Sequence, residues 1–295
     1  MLELREETFS GTFPFAPHYL DEGGFDLHYV DEGAGAPVLM VHGDPSWGYL
    51  WRAFIGPLAQ SFRVVVPDHM GMGKSGHPAP AAPYRLADHV RNLERLVLTL
   101  DLRELTLVLH DWGGPIGLGV AVRHPERIAR LVLMNTWAQA RWPGAPFPRL
   151  VELIRSPRGE QFVLERNGYV TVALRGTMSR HERLDQTALD AYLAPYPNPT
   201  SRQALLSFSR DIPVEERDPS FAELRRTEHA LPRFRDRPVL IVWGMQDPVL
   251  PPTVLERWRA TYPRADACEI QDASHFLQED APEDVLACLA AFLRP

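Results

Sequence analysis

The sequence predicts an α/β protein: a doubly wound, mostly parallel sheet with a helical insertion. Three observations carry this expectation. Short apolar runs alternate with segments of helical spacing in the first half, the alternation stops after Asn135, and it resumes at Pro238. Strands that alternate with helices form a parallel sheet, because each crossover helix packs back onto a face of that sheet.

Taken in order, Phe25 to Val30 reads as an early strand, and Val38 to Val41 as a buried strand ending at His42-Gly43. Leu50 to Ser61 has helical spacing, and Arg63 to Val66 is the next buried strand. Over Leu86 to Leu100 the residues Leu86, Val90, Leu93 and Val97 recur at three- and four-residue intervals, the period of one buried helix face. Leu105 to Leu109 is again a strand, Gly113 to His124 a helix, and Ile128 to Met134 a strand. From Trp137 to about Pro232 there are helical segments and proline punctuation at Trp142-Pro143, Phe147-Pro148 and Pro195-Tyr196-Pro197-Asn198-Pro199. Strand character returns at Pro238 to Trp243 and Asp266 to Ile270, and a helix over Pro282 to Leu293 closes the chain. The expected division is a core of 1–136 and 233–295 with a helical cap, or lid, over 137–232. Ligands of open α/β sheets bind beyond the carboxyl ends of the strands, so a lid belongs there.

With 295 residues, 45% hydrophobic and 23% charged, the chain is long enough for one large domain with a substantial core. The net charge of −7 and the absence of a basic run argue against a nucleic-acid partner. Lys74 is the only lysine, a skew that carries no functional weight. Cys268 and Cys288 are too few for a disulfide framework or a four-ligand zinc site, and read as small buried hydrophobes in a reducing compartment. The start, Met1 to Glu7, has no basic n-region or apolar core, and no apolar run approaches the roughly 20 residues of a membrane span. A cytoplasmic protein with no membrane partner is the expectation. No cofactor is expected: there is no P-loop, Gly71 and Gly73 lack dinucleotide-binding spacing, and the 11 histidines form no metal motif.

The chemistry-bearing stretch is Leu105-Thr106-Leu107-Val108-Leu109-His110-Asp111-Trp112-Gly113-Gly114. A buried strand enters a sharp turn and a glycine pair opens a helix, the setting of a nucleophile elbow with Asp111 at its tip. The bland alternative for Asp111 is a helix N-cap. Asp247 lies just past the Pro238 to Trp243 strand, and His275 in the loop after the next. Nucleophile, acid, histidine is the chain order of α/β-hydrolase triads. The turn His42-Gly43-Asp44-Pro45 supplies a fourth part, with the backbone amides of Asp44 and Trp112 as oxyanion donors. His110 is expected to point away from the site, because strand side chains alternate.

As a set, the stretches His42-Gly43-Asp44-Pro45-Ser46-Trp47-Gly48, Pro67-Asp68-His69-Met70-Gly71-Met72-Gly73-Lys74-Ser75, His110-Asp111-Trp112-Gly113-Gly114, Tyr192-Leu193-Ala194-Pro195-Tyr196-Pro197 and Ala273-Ser274-His275-Phe276 resemble the haloalkane dehalogenases. The resemblance spans nearly the whole chain. It implies an α/β-hydrolase fold and hydrolysis of carbon–halogen bonds. Asp111 would displace halide to form an alkyl ester, and water activated by His275 would attack that ester. Asp247 would orient the imidazole. Some members take this acid from the position of Asn135, which an asparagine cannot serve. Trp112 matches the first halide donor. Asp44 stands where one branch places an asparagine donor, and where a branch with a lid tryptophan places an acid. The only tryptophans near this lid are Trp137 and Trp142. The other resolution is a protonated Asp44, because neighbouring carboxylates raise one another's pKa. Trp137, Trp142, Tyr192 and Phe276 complete the expected pocket for a small apolar substrate and water.

Pro67-Asp68-His69 and Leu133-Met134-Asn135-Thr136 also resemble the β-lactone decarboxylases, which share the triad. Asp-Trp-Gly-Gly occurs in epoxide hydrolases too, whose lid tyrosines would correspond to Tyr169, Tyr192 or Tyr196. Fluoroacetate dehalogenases carry arginine after the nucleophile, unlike Trp112. The intact set Asp111, Asp247 and His275 speaks against a non-catalytic ligand receptor.

Overall fold

The computed structural model describes residues 2–78, 84–143 and 149–294. The expected break at Phe147-Pro148 lies outside the described residues. Eight strands form one sheet: β1 (His18–Asp21), β2 (Asp26–Glu32), β3 (Pro37–Val41), β4 (Arg63–Pro67), β5 (Leu105–Asp111), β6 (Ile128–Thr136), β7 (Val239–Gly244) and β8 (Asp266–Ile270). Their spatial order is β1-β2-β4-β3-β5-β6-β7-β8. The β1–β2 and β2–β4 pairs are antiparallel and all the others parallel.

Helices α1 (Leu2–Glu6), α2 (Arg52–Ala59), α3 (Leu86–Thr99) and α4 (Gly113–Arg123) belong to the first half. Between β6 and β7 lie α5 (Arg149–Arg155), α6 (Pro157–Glu160), α7 (Tyr169–Thr177), α8 (Gln186–Leu193), α9 (Gln203–Asp211) and α10 (Phe221–Ala230), with no strand among the described residues. Helices α11 (Pro252–Thr261), α12 (Leu277–Asp280) and α13 (Pro282–Leu293) follow. The fold is thus the expected α/β-hydrolase arrangement, a mostly parallel sheet flanked by helices. None of the described helices is long and apolar enough to cross a membrane.

Strand β5 is buried along its whole length, wedged between β3 and β6. A strand covered on both faces reads as a continuous apolar run rather than an alternating one, which is why Leu105 to Leu109 was legible. Helix α3 buries Leu86, Val90, Leu93 and Val97, the stripe its periodicity predicts. Strand β1 was not anticipated: it has four residues, exposed or half-buried, and so carries neither an apolar run nor a clean alternation.

Helix α4 sits close to the sheet because its first residues have no side chains. A Cβ on Gly113 would collide with the carbonyl of Val41, and one on Gly114 with the Thr136 hydroxyl and the Trp137 carbonyl.

One sequence expectation is corrected here. Cys268 on β8 and Cys288 on α13 are joined in a disulfide, with Cα atoms 6.5 Å apart. They are not separate buried thiols, because edge strand β8 and the closing helix bring them together. Bridging positions 20 apart constrains the unfolded chain, an effect worth about 3 kcal/mol. The double substitution Cys268→Ser/Cys288→Ser, or a reductant, is therefore expected to lower the unfolding free energy by about that amount. Denaturant titration with and without reductant measures it, and an unchanged midpoint would mean that the thiols are not bonded in solution.

Candidate active site

Asp111, the last residue of β5, has φ of +50°, in the left-handed region. That backbone is uncommon for a residue with a side chain, though aspartate adopts it more readily than most. It turns the carboxylate out over the sheet edge, while the Asp111 carbonyl accepts a hydrogen bond from the Thr136 hydroxyl at 2.6 Å. Oδ1 of Asp111 accepts the backbone N–H of Asp44 at 2.9 Å, and the carboxylate also accepts the Trp112 N–H. Both amides expected as oxyanion donors thus converge on this one side chain. Oδ2 faces the other way, 3.4 Å from Nε2 of His275.

His275 Nδ1 lies 2.8 Å from Oδ2 of Asp247. Asp247 is itself held on all sides. Its Oδ1 accepts the N–H groups of Val249 and Leu250 at 2.7 and 2.9 Å, and its Oδ2 accepts from the Asn135 side chain at 2.7 Å. Asn135 also accepts the Gly244 N–H at 2.8 Å and donates to the Gly244 carbonyl at 3.2 Å. Sequence reasoning had only disqualified Asn135 as the acid and missed its part in orienting Asp247. Its place at the end of β6, beside the strand that precedes Asp247, was the available signal.

The charges interlock. Burial disfavours a charged His275, but the Asp247 and Asp111 carboxylates outweigh it and push its pKa up to about 10. Burial would likewise raise Asp111, and hydrogen bonding and charge from His275 hold it below the usual carboxylate range instead. The two shifts together favour a charged pair of Asp111 and His275. His110 does point away from the cavity, yet its Nε2 lies 2.9 Å from the His275 carbonyl, so it backs the histidine loop rather than merely filling space.

Asp44 is buried beside this group. Its Oδ2 accepts from the Tyr169 hydroxyl at 2.5 Å and the Ser209 hydroxyl at 3.2 Å, while its Oδ1 is buried with no partner. Burial, before any other cause, raises its pKa well above the usual carboxylate range; the Asp111 charge adds to this, and the two hydroxyl donors oppose it. The expected cause, mutual repulsion of carboxylates, is therefore the lesser one.

A cavity of about 420 Å³ opens onto these groups, lined by Asp44, Asp111, Trp112, Tyr169 and His275. Trp137, Trp142 and Phe276 line it as expected. Trp112, Trp137 and Trp142 form a chain of edge-to-face contacts with ring centres 5.1 and 5.2 Å apart. Tyr192 does not line the cavity, which corrects the sequence reading. Its hydroxyl donates at 2.5 Å to Glu279, which also receives the Arg52 guanidinium, so Tyr192 anchors α8 to the core instead. Nor does Tyr196 reach the cavity; of the three tyrosines considered, only Tyr169 does. Among the described residues no cluster of three or more His, Cys, Asp or Glu is placed to hold a metal.

The histidine loop is also tied to the helical segment between β6 and β7. The His275 N–H donates to the carbonyl of Thr177 at 3.0 Å. The Asp280 carboxylate receives the N–H groups of Ser179 and Arg180 at 3.0 and 2.8 Å, and that of Ser274 at 2.8 Å.

Comparison with known proteins agrees with this geometry. Residues 36–282 match the family model described as alpha/beta hydrolase fold. A cis-3-alkyl-4-alkyloxetan-2-one decarboxylase of Xanthomonas campestris is 38% identical over 292 residues, covering 95% of this chain and 97% of that protein. Haloalkane dehalogenase 2 of Mycobacterium tuberculosis is 34% identical over 281 residues, covering 94% of each. The solved structure of haloalkane dehalogenase DatA from Agrobacterium tumefaciens has a TM-score of 0.83 at 28% identity, covering 94% of this chain and 95% of that one. With this sheet order and these relatives, the chain belongs to the α/β-hydrolase fold family, as a haloalkane dehalogenase-like enzyme.

Proposed function

We propose that this chain is a hydrolytic dehalogenase acting through an ester on Asp111, with His275 and Asp247 completing the triad and residues 137–232 serving as the cap. The observation that carries the reading is the divided carboxylate of Asp111. One oxygen is occupied by the Asp44 amide, and the other faces an apolar cavity and the histidine. The free oxygen attacks the halogen-bearing carbon from behind, and the halide departs with the bonding pair, facing the Trp112 indole. An alkyl ester remains. Water then adds to its carbonyl carbon, giving its proton to His275, while the Asp44 and Trp112 amides hold the developing oxyanion. Collapse breaks the bond between Cγ and the alkoxy oxygen, which recovers the proton from the imidazolium and leaves as the alcohol. A serine nucleophile would instead leave an ether with no carbonyl to attack.

Esterification also changes His275. It removes the Asp111 charge, one of the two that raise the imidazole pKa, so the imidazolium releases its extra proton to solvent and Nε2 is free to accept the proton of the attacking water. With Asp111→Asn the His275 pKa is accordingly expected to fall below its wild-type value of about 10. Nuclear magnetic resonance titration of the imidazole reads this, and an unchanged value would remove the coupling. In His275→Phe, exposed to a bromoalkane, Asp111 is expected to gain one alkyl group by intact mass with one bromide released, while turnover falls by about a hundredfold or more. Full turnover in that variant would exclude His275 as the base.

A second reading, β-lactone decarboxylation, is favoured by the buried carboxyl of Asp44 lining the cavity next to Asp111. It also fits the name of the Xanthomonas relative, since an oxetan-2-one is a β-lactone. Attack by Asp111 on the ring carbon bearing oxygen would open the ring to a tethered carboxylate. Loss of carbon dioxide would then form the alkene and expel Asp111, without water. Alkene from a β-lactone, with no bromide from a bromoalkane, selects this reading.

A further inference from the structure

We propose that Arg149 binds a carboxylate at the outer end of the cavity, so that the substrate class is a halogenated alkanoate with halogen and carboxylate at opposite ends of an alkyl chain. The proposal rests on the reading of the chain as a dehalogenase and deepens it by naming what else the substrate carries.

Four of the acids and bases that line the cavity are Asp44, Asp111, His275 and Arg149. The first three are buried and bonded to one another or to neighbouring groups. Arg149 is exposed, and among the described residues no hydrogen bond or ion pair engages its guanidinium. A cavity lined both by a buried Asp111 and by an exposed Arg149 runs from the nucleophile to solvent. The remaining lining includes the apolar side chains of Leu150, Val151, Ala173, Ile212 and Val249. The site thus has a reacting carboxylate at its inner end, apolar walls, and an unengaged cation at its outer end. The base of that cation is fixed. Arg155, on the same helix, donates to the carbonyls of Arg210 and Ile212 at 3.0 and 2.6 Å, which fastens α5 against the end of α9.

A guanidinium presents a planar fork of N–H donors that fits a carboxylate with two parallel hydrogen bonds. A substrate carboxylate at the inner end would instead face the negative Asp111, and would lose its water among apolar walls. The two ends of the cavity therefore sort the two ends of the ligand. The carboxylate stays outward, within reach of water and Arg149, and the carbon–halogen bond lies inward at Asp111. The net charge of −7 gives this cation its weight, since without it the field of the protein disfavours an anionic substrate. Displacement follows the course already given: the carbon–halogen bond breaks with its electron pair leaving on the halide, and water supplies the oxygen. The products are the hydroxy acid, halide and a proton. Arg149 makes and breaks no covalent bond; it decides which chains are held, and which way round.

The test is the ratio of kcat/KM for an ω-bromoalkanoate to that for its methyl ester, over chains of about four to ten carbons, with bromide release as the readout. In the wild type the ratio is expected to exceed one by about threefold to tenfold at the best chain length, the range for one partly solvated charged pair. It should shrink toward one in about 0.5 M salt. Arg149→Gln should bring the ratio below one, and Arg149→Glu lower still. Arg149→Lys, which keeps the charge without the fork, should hold it above one. The loss should sit in KM for the acid rather than in kcat. Calorimetric titration with the unreactive alkanoate and its methyl ester reads the same preference without turnover. A wild-type ratio at or below one at every length overturns the proposal, as does a ratio that Arg149→Gln and Arg149→Glu leave unchanged. An alkanoate that binds more tightly than its ester, and loses that advantage in Arg149→Gln, while neither bromo compound releases bromide, overturns the dehalogenase reading instead and supports the carboxylate site. Neither bromide release nor a binding preference overturns both.

Discussion

The site depends on a backbone conformation that Asp111 would not choose for itself. A side chain in the left-handed region costs on the order of 1–3 kcal/mol and persists only where its surroundings enforce it. Here the enforcement is steric and polar together. Strand β5 is wedged between β3 and β6, the Thr136 hydroxyl holds the Asp111 carbonyl, and two glycines let α4 sit where a side chain would push it away. Gly43 belongs to the same solution, since a Cβ there would occupy the space of the Asp111 carboxylate. The position of the carboxylate, the aim of the two amides and the seating of the helix are therefore one packing problem with one answer.

Around that point two buried carboxyl groups are driven in opposite directions. Asp111 and Asp44 are linked by a hydrogen bond, yet one is held below the ordinary carboxylate range and the other well above it. The difference lies in what each side chain faces. Asp111 has an imidazolium and two amide donors, whereas Asp44 has two neutral hydroxyls and the field of Asp111. Environments that push two titratable groups apart are a common way to divide acid and base labour within one site.

Much of this could be read from the chain, and what could not has a physical reason. The strands that carry Asp111 and precede Asp247 are central and apolar, so they announce themselves, and the chain order of the three residues follows. The loops after them leave short local signatures such as His42-Gly43 and Trp112-Gly113-Gly114. What escaped depends on contacts distant in sequence. Asn135 reaches Asp247 across 112 positions, and Tyr169 reaches Asp44 across 125. No period or local motif encodes such pairs. Tyr192 was misassigned because an aromatic residue in a helical segment is equally suited to a pocket wall and to an anchor; only its partner Glu279 decides. The cysteine pair was misjudged because composition counts thiols but cannot see that an edge strand and a terminal helix lie side by side.

The bonds between the histidine loop and the end of α7 have a mechanical consequence. The amide of His275 hangs from the Thr177 carbonyl, and Asp280 clamps Ser179, Arg180 and Ser274 with one carboxylate. The end of α7 and the histidine loop are thus coupled as a single rigid piece. A displacement of Thr177 must either break these bonds or carry the imidazole with it, away from Asp111. On this side the wall of the cavity and the imidazole share a fate, so an opening that spares the histidine has to be hinged elsewhere along the helical segment.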